Sequence, residues 1–143
     1  MSIAIVPVYA ALLSPQGKYL CDLFVGNTGD RLLLDLPEAF AEATLRRLAM
    51  YRLRADVQIT PTGLIASRGT GPAPAGALPD PRHPALGWRA YGATDVSQPA
   101  DWDRLRVAHL VPETGIELTP ETYILEAGFE RLHGVDFRKG CYV

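Results

Sequence analysis

Alternating apolar and polar positions near the start of the chain predict a β-hairpin. Two runs with a period of two, Tyr9–Leu13 and Lys18–Val25, flank the turn sequence Ser14-Pro15-Gln16-Gly17. Proline presets one dihedral of such a turn, and glycine closes it. A second turn at residues 26–30 and a strand over residues 31–35 extend the hairpin into an antiparallel meander. The alternation in the second run places these residues on the face that points to the core: Tyr19, Cys21, Leu23 and Val25.

Apolar residues that recur every three or four positions predict a helix that ends near Tyr51. The sequence before it resembles a capping box, with Asp35 as an acidic cap, Pro37 at the first turn and Glu38 three positions after the cap. We expect the apolar stripe of this helix, which includes Leu45 and Leu48, to pack on the sheet.

The second half of the chain follows the same order of strands and then a helix. Residues 56–60 and 64–67 flank Pro61-Thr62-Gly63 and predict a second hairpin, which gives a sheet of about five strands. Residues 69–87 are rich in Gly, Pro and Ala and predict a loop. A strand follows at residues 88–92, and Asp101 opens a second helix. This order predicts an α+β fold with an antiparallel sheet and packed helices, in a single domain over residues 1–143.

Composition and charge limit the classes of partner. The chain has 143 residues, 48% of them apolar, which suits one globular domain. A net charge of −2 and a pI near 5.9 give no basic face for direct contact with nucleic acid. The apolar runs are too short to cross a bilayer. Because the first eight residues resemble a strand more than a targeting segment, we expect a cytoplasmic protein with no membrane partner.

Two cysteines, Cys21 and Cys141, are far apart and have no histidine at metal-ligand spacing, so no metal site is expected. Cys141 lies between Gly140 and Tyr142 and shortly after Lys139. An unhindered backbone and a nearby positive charge favour a reactive or ligand-facing thiolate. A free cysteine is also commonly a small buried hydrophobe, and a lysine here would suit a solvated surface. Both interpretations stay open.

The C-terminal stretch LHGVDFRKGCY resembles the signature of the YgfZ-type folate-binding proteins, which are relatives of the glycine-cleavage T-protein. The likeness also includes residues 9–22, 51–57, 80–82, 86–89 and 124–128. It implies a ferredoxin-like module plus part of the T-protein-like folate-binding domain, built around a tetrahydrofolate pocket. Family members continue past the cysteine with Gly-Gln-Glu and a β-barrel and carry further N-terminal residues. The chain is therefore expected to be a fragment truncated at both ends.

The resemblance implies roles for five residues. Cys141 would be the functional thiol, Glu126 would grip the pterin ring, and Asp22 would lie near the reactive nitrogen of the folate. Lys139 and Tyr142 would complete the folate contacts. A pterin presents an amide-like N–H beside an exocyclic amine, and one carboxylate can accept from both. Alternatively, Glu126 lies at the start of a helix and Asp22 lies on the surface, and neither residue binds a ligand.

The function implied is that of a tetrahydrofolate-binding accessory protein in iron–sulfur cluster assembly or repair, which indirectly supports transfer RNA modification. Its partners would be folate and iron–sulfur client or assembly proteins. One alternative is an aminomethyltransferase-type enzyme of the T-protein class that transfers one-carbon units in the same pocket. Another is a structural fragment that binds nothing. Strands that lack their neighbours would have open edges, which also predicts self-association.

Overall fold

The computed structural model describes residues 7–140, which form two antiparallel three-stranded sheets and two α-helices. The predicted α+β class is confirmed, and the ferredoxin-like arrangement stays a prediction. The first sheet has the order β1-β2-β3, and the second has the order β4-β6-β5. The elements are β1 (Val8–Leu13), β2 (Tyr19–Asn27), β3 (Leu32–Asp35), α1 (Glu38–Tyr51), β4 (Ile65–Gly69), β5 (Leu78–Pro79), β6 (Trp88–Gly92) and α2 (Trp102–Ala108), with short 3₁₀ turns at Pro84–Leu86 and Phe137–Lys139.

The predicted meander forms, but a β-bulge in β2 changes which side chains face the core. Leu12 lies opposite Cys21 and Leu13 lies opposite Tyr19, so Leu20 has no partner on β1. The extra residue turns Tyr19 onto the face that carries Asp22, to which its hydroxyl is bonded. The prediction that Tyr19 and Cys21 share a face is therefore wrong, because a bulge interrupts the period of two.

The hydrophobic core lies on the face of the first sheet that carries Tyr9 and Phe24. The Tyr9 ring lies between Phe24 and Phe129, with ring centroids 5.4 and 4.9 Å away. Aromatic pairs at this spacing add to the stabilisation that burial provides. Most of the opposing side is supplied by the irregular C-terminal segment, through these buried residues: Val111, Leu118, Ile124, Phe129 and Leu132.

Helix α1 ends at Tyr51 as predicted but begins at Glu38, after the expected cap, and it contributes little to the core. Thr44 is its one buried residue, and Tyr51 is 66% exposed. The expected capping box is absent, because Pro37 is the N-cap and no side chain caps the helix. The Asp35 carboxylate instead accepts hydrogen bonds from Arg89 and Tyr91 of β6. Because the Asp35 carboxylate binds these two residues of the second sheet, it does not cap helix α1.

The predicted second hairpin is wrong. No strand forms between residues 52 and 64, and β4 pairs with β6, so that Ile65 lies opposite Gly92. The five-stranded sheet that was expected is therefore two separate sheets of three strands. The predicted loop at residues 69–87 contains the short strand β5 and the buried Asp80. Turn-forming residues such as proline and glycine indicate where a strand can end, but they do not determine which strand it pairs with.

Candidate functional site

A cavity of about 840 Å³ lies between the two sheets and helix α2. Strand β2 contributes Asp22 and Phe24, β4 contributes Arg68, β6 contributes Arg89 and α2 contributes Trp102. Small-molecule sites commonly have volumes of roughly 300–1,000 Å³ and combine apolar walls with a few polar groups. The cavity has the size and the mixed lining of such a site.

Three hydroxyl groups hold the Asp22 carboxylate at the wall of this cavity. Its Oδ1 accepts from Tyr19 and Thr114, each at 2.8 Å. Its Oδ2 accepts from Tyr9 at 2.9 Å. A carboxylate offers about four acceptor positions, and these three bonds leave about one for a ligand. Asp22 is thus fixed in orientation and can still accept a hydrogen bond.

The tyrosines that donate to Asp22 keep their protons over a wide pH range. Burial and the negative charge of Asp22 raise the pKa of the Tyr9 hydroxyl. Burial also raises the pKa of Tyr19, with a further contribution from Asp22 that a hydrogen bond to Thr114 opposes. Because both hydroxyls stay protonated, they remain donors and leave the remaining acceptor position of Asp22 available.

Arginines from the second sheet and the loop before it form another part of the wall. Arg89 pairs with Asp35 at 2.5 Å, and Arg82 pairs with Asp80 at 2.7 Å. Their guanidinium carbons lie 4.1 and 4.8 Å from the centroid of the Phe24 ring. This is within the range of cation–π attraction. Both charges are therefore balanced by an acid and packed on the same ring.

Arg68 has a different environment. It forms no ion pair within residues 7–140, and its guanidinium lies 4.0 Å from the centroid of the Trp102 ring. Arg68 is exposed, but partial desolvation lowers its pKa, and the charges of Arg89 and Arg82 lower it further, whereas those of Glu113 and Asp80 oppose this shift. The side chain still carries its charge at neutral pH, because an arginine pKa lies far above 7.

The structure separates the residues that sequence reasoning assigned to one site. Glu126 lines a smaller concavity of about 400 Å³ beside Arg131, and Val111 and Pro112 lie between this concavity and the Asp22 cavity, lining both. Lys139 is exposed in the 3₁₀ turn Phe137–Lys139. Cys141 and Tyr142 lie outside the described residues. Of the predicted site residues that are described, Asp22 alone lines the larger cavity.

Sequence reasoning missed most of the side chains around Asp22. The bulge at Leu20 places Tyr19 on the same face as Asp22, and the local sequence pattern does not indicate this bulge. Thr114 is 92 positions away along the chain. Arg82 and Arg89 do lie in stretches that carry the family resemblance, and this was the one available signal for them. Arg68 lies outside those stretches.

In residues 7–140, no group of three or more His, Cys, Asp or Glu side chains has an arrangement suited to a metal ion. None of the helices in this range combines the length and the hydropathy that a bilayer crossing requires.

Comparison with known proteins identifies a consistent set of relatives. The chain is similar to iron–sulfur cluster assembly factors named IBA57. The relative from Mycosarcoma maydis is 28% identical over 162 residues, which cover 95% of this chain and 40% of the relative. The relative from Phaeosphaeria nodorum is 27% identical, with 96% and 41% covered. The human factor is 27% identical, with 94% and 47% covered. The chain thus spans less than half the length of these curated relatives.

The relatives correct one expectation and leave another open. They are named as mitochondrial proteins, so the expected cytoplasmic location is wrong. That expectation rested on the first eight residues, which are too short a basis for assigning a compartment. No protein-family profile and no solved structure matches the chain. The likeness agrees with the predicted connection to iron–sulfur cluster assembly proteins, and the YgfZ type stays a prediction.

Proposed function

We propose that this chain is an accessory factor of iron–sulfur cluster assembly or repair that binds tetrahydrofolate in the Asp22 cavity. The observation that carries the proposal is its similarity, over 94–96% of its length, to factors named for iron–sulfur cluster assembly. Its partners are then folate and iron–sulfur client or assembly proteins. By serving iron–sulfur enzymes, it would indirectly support transfer RNA modification.

The chemistry of the cavity supports a reduced folate as the ligand. The remaining acceptor position of Asp22 suits an N–H group of a pterin ring, because a carboxylate forms strong bonds with such donors. Phe40 and Trp102, which also line the cavity, offer aromatic surface for the flat parts of the ligand. The volume of about 840 Å³ accommodates a ligand of this size.

The other predicted site residues enter the proposal through the family resemblance. Cys141 is proposed as the functional thiol, since a lysine two positions earlier favours the thiolate. Glu126, Lys139 and Tyr142 are proposed as further folate contacts. Glu126 and Lys139 lie outside the Asp22 cavity, so their part in binding is independent of that of Asp22.

The first experiment measures binding of tetrahydrofolate by calorimetry and by quenching of tryptophan fluorescence. The Asp22→Asn variant should bind about tenfold more weakly, because one charge-assisted hydrogen bond is lost. The matched control Asp30→Asn changes an exposed carboxylate in the turn before β3 and should bind as the parent chain does. Quenching should disappear in Trp102→Phe and persist in Trp88→Phe, since Trp102 lines the cavity. Equal affinity of Asp22→Asn and Asp30→Asn would contradict the assignment of the cavity.

The second experiment tests the iron–sulfur role in cells that lack their own IBA57 relative, with the activity of iron–sulfur enzymes as the readout. Expression of the chain should restore that activity, and Cys141→Ala should abolish the effect. The matched control is Cys21→Ala, which removes a buried thiol on the sheet face away from Asp22 and should still restore activity. Rescue by Cys141→Ala would remove the proposed role of this thiol.

A further inference from the structure

Two arginines lie directly opposite each other on neighbouring strands of the second sheet. Arg68 of β4 and Arg89 of β6 are Cα partners in the antiparallel register, so their side chains leave the same face. Both line the Asp22 cavity. Like charges that face each other across two strands destabilise a sheet. A chain that places two arginines here therefore needs something to offset their repulsion.

Acidic side chains form ion pairs with Arg89 and with Arg82, but none of the described residues forms one with Arg68. Asp35 pairs with Arg89, and Asp80 pairs with Arg82. Arg106, a further cavity arginine, is surrounded by three acids, which are Asp103, Glu113 and Glu117. Within the described residues Arg68 forms no ion pair. It lies over the Trp102 ring, and Glu113 and Asp80, which pair with Arg106 and Arg82, raise its pKa only through longer-range attraction.

The position of Arg68 also exposes it to a ligand. Its guanidinium is planar, and one face lies over the Trp102 ring at 4.0 Å, which limits its rotation and leaves its N–H edge free of any acid of the described chain. A guanidinium edge matches the two oxygens of a carboxylate, with two parallel hydrogen bonds. The repulsion from Arg89 and Arg82 would be offset when such an anion is bound.

We propose that Arg68 is the carboxylate-binding residue of the cavity and that its ligand is the glutamyl tail of a reduced folate. The identity of the ligand rests on the proposed function, whereas the carboxylate preference rests on a guanidinium that is held over Trp102 without an ion-pair partner among the described residues. Asp22 then accepts hydrogen bonds from the N–H groups of the pterin ring, and Arg68 donates hydrogen bonds to the carboxylates of the tail in the same cavity. Because each added glutamyl residue brings another carboxylate, Arg68 favours folates with longer tails.

The experiment compares three ligands: 6-methyltetrahydropterin, which carries no carboxylate, tetrahydrofolate with one glutamate, and tetrahydrofolate with three glutamates. The variant is Arg68→Gln. Its matched control is Arg104→Gln, which removes the same charge from α2 at an exposed position outside the cavity. We expect Arg68→Gln to weaken binding of the triglutamate form by about tenfold and to leave binding of 6-methyltetrahydropterin unchanged. Arg104→Gln should bind all three ligands as the parent chain does.

The outcomes separate this inference from the proposed function. Equal binding of the triglutamate form by the parent chain and Arg68→Gln would overturn the role of Arg68 while folate binding stands. Failure of the parent chain to bind any of the three ligands would remove the proposed function and the tail assignment together. A urea titration provides the check on structure, because loss of the like charge opposite Arg89 should leave the unfolding midpoint unchanged or raised. A lowered midpoint would assign Arg68 a structural role and contradict the proposal.

Discussion

At the residue scale, the cavity depends on a close backbone approach at Gly87. This residue has φ = 69° and directly precedes β6, the strand that contains Arg89 and Tyr91. A Cβ atom at position 87 would lie 2.0 Å from the backbone oxygen of Gly69. Backbone atoms of a paired strand cannot move aside, so the turn accepts no side chain here.

We therefore expect Gly87→Ala to lower the free energy of unfolding by about 4 kcal/mol, because it adds a backbone clash to a strained dihedral. Gly76→Ala is the matched control. Gly76 has φ = 78°, but its added Cβ would meet nothing within 4 Å. It should therefore lose about 1–2 kcal/mol from the left-handed conformation alone. Urea unfolding measures both values, and equal losses would show that the close approach is not what matters.

At the scale of elements, helix α1 has one buried residue, Thr44, which neighbours the Cys21 thiol. This thiol donates a hydrogen bond to the backbone oxygen of Asp22 at 3.2 Å. Cys21 is 1% exposed, and burial raises its pKa to about 11. The folded pKa lies above the ordinary value of 9.0, so the stability that this thiol contributes is complete below about pH 9 and is lost as the pH rises through 11.

Because α1 buries little surface, we expect it to open without unfolding the rest of the chain. In a Cys141→Ser background, the rate at which a disulfide reagent labels Cys21 at pH 8 reports this opening. Ala43→Gly in the exposed part of α1 should raise that rate about fivefold, since glycine costs a helix about 1 kcal/mol relative to alanine. Ala73→Gly, in the loop between β4 and β5, is the control and should leave it unchanged. Labelling that requires the same urea concentration as global unfolding would refute a separate opening of α1.

At the scale of the whole molecule, one carboxylate connects the two sheets. Asp35 ends β3 of the first sheet and accepts hydrogen bonds from Arg89 and Tyr91 of the second. The side chains of Asp35 and Arg89 are each 12% exposed. Burial and the charge of Asp35 raise the pKa of Tyr91 to about 12. The stabilisation from this tyrosine is therefore complete below about pH 10 and is lost as the pH approaches 12.

We expect Asp35→Asn to lower the free energy of unfolding by about 3 kcal/mol, because it leaves the guanidinium of Arg89 nearly buried without its acid. The exposed pair of Asp30 with Arg31 provides the control, and Asp30→Asn should change stability little. Denaturant unfolding followed by tryptophan fluorescence tests the link directly, since Trp88 lies in the second sheet. Equal stability of the two variants would show that the sheets are held together by other contacts.

Features encoded by neighbouring residues could be predicted from the sequence. The Pro15-Gln16-Gly17 turn fixes the first hairpin locally, and the periodicity of α1 indicates its end at Tyr51. The pairing of β4 with β6 could not be predicted, because it joins residues 19 to 27 positions apart. The bulge at Leu20 was equally hidden, since it depends on register with β1.

The candidate site divides in the same way. The family resemblance named Asp22, which does lie in the wall of a cavity. It could not supply the hydroxyls of Tyr9, Tyr19 and Thr114, which meet this carboxylate only after the chain folds. Nor could it supply Arg68. This residue stands out only in the folded structure, where Arg82 and Arg89 each pair with an acid and Arg68 pairs with none of the described residues.

The sequence by itself determined the α+β class, the first hairpin, the end of α1 and the similarity to iron–sulfur cluster assembly factors. Turns, periodicity and sequence likeness are properties of residues in order along the chain, so no coordinates were needed for them. The tertiary structure decided which strands pair, which face holds the core, and which charges near the Asp22 cavity are compensated. These depend on contacts between distant segments, whose free energies arise only when burial brings the groups together.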